Sequence, residues 1–264
     1  MSKRRLFMLY LIFPSLALLF LETFPIVYSA NPVLDQIINV IVTRSVGCLV
    51  FIPLSVYMQY NIFGFTSKKR INVLLCTLVP LVVVVNNLPI IGLISGNAYI
   101  TEPRFIIPIF ALEALMIGMF EEFAFRGVLF PYILENRRSS TKSIFWATVI
   151  SSSAFGAVHL LNVFAGAGIG GVILQVGYSF LIGGMCAIVL LYTRCIWICV
   201  ALHAIYDFCG YLIPTLGDGI IWDPVTVIIT AVLGVFALVF MIVWLLRITP
   251  ERVNELYKNN ATSV

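Results

Sequence analysis

Apolar stretches long enough to cross a bilayer, about 20 residues each, follow one another along almost the whole chain. With no water to bond the backbone inside a membrane, such a succession restricts the fold to a bundle of spanning helices. The stretches lie at roughly 7 to 29, 34 to 60, 71 to 95, 105 to 134, 144 to 164, 170 to 193, 195 to 215 and 222 to 247. Charged residues are 11% of the 264, against about a quarter in soluble domains. The expected fold is therefore an all-α polytopic membrane protein of about eight transmembrane helices, a single integral domain over residues 1–264, multi-pass in the cell membrane and in contact with lipid.

The basic residues orient it. Thirteen lie in connections on one side (Lys3, Arg4, Arg5, Lys68, Lys69, Arg70, Arg137, Arg138, Lys142, Arg194, Arg247, Arg252, Lys258) and one on the other, Arg104. That asymmetry places both termini in the cytoplasm and needs an even number of spans. It also accounts for the net charge of +4 without nucleic acid. The N-terminal Ser-Lys-Arg-Arg and the apolar run after it resemble a signal peptide, but the run is long and holds Pro14, Glu22 and Pro25, so an uncleaved first span is expected. All six cysteines fall in apolar segments, which argues for packing roles rather than a disulfide framework. Cys195, Cys199 and His203 repeat at helical spacing but lack a fourth ligand for structural zinc.

Two acids and an arginine stand inside the fourth stretch, in Met119-Phe120-Glu121-Glu122-Phe123-Ala124-Phe125-Arg126-Gly127. At a helix centre each costs roughly 2.5–3.5 kcal/mol on insertion scales, so the three must face partners or a wet cavity. Arg44 and Glu113 lie at similar depth in the second and fourth stretches and are expected to form a structural ion pair. Both histidines of the chain, His159 and His203, also lie in spans. Measured from the cytoplasmic helix ends, Glu121, His159 and Asp207 are all roughly 18–23 Å deep by helix rise, with His203 one turn nearer the cytosol.

Helix spacing assigns roles. Glu122 and Arg126, at i and i+4, share a face and are expected to pair, which leaves Glu121 free. A carboxylate beside a histidine in a poorly solvated cavity suits proton abstraction from water. His203 and Asp207 are one turn apart, so the acid can orient the imidazole. These are the parts amide hydrolysis requires.

In this order, Glu121-Glu122-x-x-x-Arg126, Phe155-x-x-x-His159 and His203-x-x-x-Asp207 resemble the three motifs of the CAAX protease and bacteriocin-processing family, over a core of about 105–215. The resemblance implies an intramembrane endopeptidase in which Glu121 and His159 activate water while His203 and Asp207 stabilise the oxyanion, with Glu122, Arg126 and Phe155 in support. Its substrate would be a membrane-associated peptide or protein. Where the family often has Asn, this chain has Asp207, which suits orientation of His203 better than donation. The resemblance favours glutamate chemistry without a metal; the zinc alternative would use Glu121, His159 and His203 as ligands. Compact connections and a short tail point to a prokaryotic member, for which a prenylated CAAX substrate is not expected. Peptide maturation, bacteriocin immunity and control of a signalling partner, another membrane protein, remain open, as does a proton-coupled transporter using the same acids. No His-Glu-x-x-His zinc motif is present. The glycines at 166–171 and Gly183-Gly184 are expected to serve helix packing.

Overall fold

The computed structural model describes residues 26–64, 70–135, 137, 139–164 and 166–257. The expected first span, and the signal-peptide question with it, lies outside the described residues but for its last four. So do Lys3, Arg4, Arg5, Lys68, Lys69, Arg138 and Lys258. Five described helices are long and apolar enough to cross a membrane: α1 (Pro32–Tyr57), α6 with its 3-10 extension (Thr141–Val163), α7 (Ile169–Thr193), α8 (Ile196–Leu216) and α9 (Pro224–Leu246). The protein is an all-α polytopic membrane protein.

Two of the expected spans are built differently. The stretch at 71–95 yields a 16-residue helix, α2 (Arg70–Val85), then a break at Asn86-Asn87-Leu88-Pro89 and a six-residue helix, α3 (Ile90–Ser95). Apolar composition ran through the break because leucine and proline surround the two amides. The stretch at 105–134 is helical throughout but changes type: α4 (Ile106–Glu122) passes into a π-helix at Phe123–Leu129 and then α5 (Phe130–Glu135).

Contacts divide the described chain into two compact units. The first comprises the residues up to Met58, Val84–Ala124 and Val200–Thr230. Here α1 starts at an N-cap, Asn31, whose side chain accepts from the Val33 and Leu34 amides, with Pro32 in the first turn. It packs on α4, where Phe120 lies over Gly47 and edge-on to Phe51 at 5.7 Å. A two-stranded ribbon, β1 (Ala98–Ile100) and β2 (Gly217–Gly219), joins two connections that the basic-residue count assigns to one side. Gly219 has φ +119, and any Cβ there would strike the Asn97 carbonyl, so only glycine fits.

The second unit comprises Gln59–Val83, Phe125–Cys199 and the residues from Ala231 onward. Its centre is the α6–α7 hairpin, in which Gly156 faces the Val176 carbonyl. The C-terminal α10 (Pro250–Asn254) and a 3-10 turn (Glu255–Tyr257) pack onto this unit. Leu256 O accepts from the Asn61 amide at 2.8 Å, the Tyr257 hydroxyl donates to Pro131 O at 2.7 Å, and the Arg252 guanidinium lies 4.6 Å from the Tyr192 ring centroid. All six cysteines are free, and five are buried.

Candidate active site

In the first unit, α4 and α8 approach closely because Gly118 has no side chain: a Cβ there would lie 3.0 Å from both the Ala204 nitrogen and the Val200 oxygen. Small residues at such a crossing bring backbones together in membranes. One turn further along α4 come Glu121 and Glu122; beside Ala204 comes His203.

Three carboxylates surround the His203 imidazole. Glu122 Oε1 is 2.8 Å from Nδ1, a hydrogen bond; Glu121 Oε2 is 3.6 Å and Asp207 Oδ2 3.5 Å from Nε2. Since an ionised carboxylate can only accept, Nδ1–H is the donor to Glu122. The side chains of Glu122 and His203 are 0% and 5% exposed, those of Asp207 and Glu121 12% and 14%, so Glu121 is the most open of the three acids. Asp207 Oδ2 is buried without a hydrogen-bond partner. The structure thus brings together Glu121, Glu122, His203 and Asp207. It adds to the expected His203–Asp207 pair a hydrogen bond from the imidazole to Glu122, which residue spacing did not suggest.

Glu113 is buried on α4, and Arg44 on the neighbouring α1 lies with its guanidinium 5.2 Å from the Phe120 ring centroid. This cation–π contact is a partner that residue spacing did not suggest.

In the second unit Arg126 is 1% exposed, with its guanidinium carbon 4.3 Å from the centroid of Phe155. Phe155 also meets Phe125 at 4.9 Å and His159 at 5.6 Å, both edge to face. The arginine of the first motif therefore stacks on the aromatic of the second, and that aromatic packs on the half-buried His159. Desolvated stacking of this kind contributes about 2 kcal/mol or more. Gly183 makes room for it: a Cβ there would lie 2.9 Å from Arg126 Nη2 and 3.0 Å from Phe155 Cδ1. His159 itself begins a 3-10 turn, His159–Val163, at the end of α6.

The Cys199 thiol donates to the Cys186 carbonyl at 3.3 Å, while both ring nitrogens of His203 face carboxylates. A metal on His203 would have to take Nε2, with Glu121 beside it and Glu122 bracing Nδ1, a combination known for ligand histidines.

Residues 103–209 match the family model described as Rce1-like, type II CAAX prenyl endopeptidase Rce1-like. The match supports membership of the CAAX protease and bacteriocin-processing family. It spans all three motifs, from Glu121 to Asp207. No curated protein and no solved structure matches the chain. Family and helices together support a multi-pass membrane protease.

Proposed function

We propose that the protein is an intramembrane endopeptidase that hydrolyses a peptide bond of a membrane-associated peptide or protein through water activated by Glu121. The observation that carries this reading is the enclosure of one buried imidazole by Glu121, Glu122 and Asp207. In the proposed reaction the Glu121 carboxylate takes a proton from water, and the hydroxide adds to the scissile carbonyl. His203 Nε2–H then donates to the oxyanion. With Nδ1–H already given to Glu122, the donating ring is an imidazolium balanced by that carboxylate. As the tetrahedral intermediate collapses, the Glu121 carboxyl returns its proton to the leaving amine. Asp207 lies where it can steady the ring from the Nε2 side. His159 is assigned to water activation by its place in the motif order, and Arg126 with Phe155 supports it.

The test uses the full chain in lipid nanodiscs, incubated with a library of apolar peptides that includes a prenylated CAAX peptide. Products are read by mass spectrometry against Glu121→Gln, which preserves shape but removes the base. Cleavage by the wild type and its loss in Glu121→Gln is the expected result. Equal cleavage by the two would reject Glu121 as the base, and pH-dependent flux without any product would favour the transporter reading. Zinc chemistry through Glu121, His159 and His203 predicts in addition that chelation abolishes cleavage and added zinc restores it.

A further inference from the structure

Two amides, Asn86 and Asn87, interrupt the apolar run between α2 and α3, and they are used differently. Asn86 Nδ2 donates to Thr230 Oγ1 at 3.1 Å. Asn87 Nδ2 donates at 3.1 Å to the carbonyl of Tyr206, the residue between His203 and Asp207 on the helix that carries both. The same amide rests on Gly210: a Cβ there would overlap Asn87 Nδ2 and lie 3.0 Å from Asn87 Cγ.

Gly210 is on the reactive face. At 100° per residue His203, Asp207 and Gly210 fall within about 60° of arc, with Gly210 about 4.5 Å along the axis beyond Asp207. That turn of α8 is intrinsically weak. Pro214, inside the helix, has no N–H for the Gly210 carbonyl four residues earlier, and glycine itself is a poor helix former. An outside hydrogen bond to Tyr206 O, packed against Gly210, braces the backbone where the helix supplies least.

From this juxtaposition we propose that Asn87 is a positioning residue of the active site, holding the Tyr206–Gly210 turn so that Asp207 and His203 keep their mutual orientation. The role rests on the proposed site, but it is read without any substrate, so a failed protease assay and a failed positioning role are distinguishable.

Tyr206-Asp207 is the one Tyr-Asp step in the chain. Protein labelled with 13C′-tyrosine and 15N-aspartate therefore reports the Tyr206 carbonyl as a single resonance. 15N-histidine reports the imidazoles, with His159→Gln assigning His203. At one fixed pH in nanodiscs, Asn87→Leu and Gly210→Ala should each move both the Tyr206 carbonyl and the His203 ring signals, whereas Asn86→Leu should move neither. Gly210→Ala favours the helix, so its effect is not a folding failure, and it serves if Asn87→Leu does not fold. Adding Gly210→Ala to Asn87→Ala, in which no side chain of that length remains to be displaced, should change nothing beyond the effect of Asn87→Ala alone. The proposal is overturned if the carbonyl moves while the His203 signals stay put, if the double variant adds a second displacement, or if Asn86→Leu moves the ring as far.

Discussion

The bond between Glu122 and His203 can be weighed against the looser contact of Glu121 with the same ring. Glu122 is fully buried, and its 2.8 Å bond to Nδ1 is a charge-assisted one. Glu122→Gln keeps an acceptor oxygen in place but turns a charged bond, contributing about 1.5–3 kcal/mol, into a neutral one of about 0.5–1.5. The expected loss is about 1–1.5 kcal/mol. Glu122→Leu removes the acceptor and leaves a buried ring donor unmatched, which costs about 3–5 kcal/mol when one member of a buried pair is deleted. Glu121, at 3.6 Å, is beyond hydrogen-bond distance, so Glu121→Gln should cost least. Thermal melts in nanodiscs give the order directly: Glu121→Gln near wild type, Glu122→Gln below it, and Glu122→Leu lowest by on the order of 10 °C. The reasoning fails if Glu121→Gln destabilises as much as Glu122→Leu, because the acid argued to be free for chemistry would then be holding the fold.

Two further expectations are independent of that bond. Gly118→Val should open the α4–α8 crossing, since the backbone at Val200 and Ala204 cannot move aside as a side chain would; a loss of about 1–3 kcal/mol in melting is expected, together with cleavage activity. Asp223, half-buried ahead of α9, caps that helix by accepting from the Val225 and Thr226 amides and the Thr226 hydroxyl. The hydroxyl bond foremost, then the amides, hold its carboxyl below the ordinary 3.8. A lowered folded value means the contribution is present above the unfolded value and lost as pH falls through the folded one. Hydrogen exchange at Val225 and Thr226 should therefore lose protection below about pH 3.8 in the wild type but not in Asp223→Asn, whose amide oxygen still accepts; equal behaviour of the two would remove Asp223 as the cause.

Much of this protein was legible before any coordinate, because a membrane penalises the exceptions. Apolar length marks α1, α6, α7, α8 and α9 as spans whatever they pack against. The energetic cost of a charge in lipid singles out Glu121, Glu122, Arg126, His203 and Asp207 with no knowledge of their neighbours. The shared face of His203 and Asp207 follows from α geometry alone, and that stretch is α-helical. What spacing could not reach was anything depending on a second element. The bond between His203 and Glu122 was beyond it, because the two residues lie on α8 and α4, 81 positions apart. Arg126 lies on Phe155 because a third helix offers Gly183, a glycine readable only as generic packing until its neighbours were known. Asn87 had a signal, two amides in an apolar run, but its role depends on Gly210, 123 positions further along the chain. Residue type decides what must be satisfied inside a membrane; only the tertiary structure decides which neighbour satisfies it, because the satisfying groups come from helices remote in sequence.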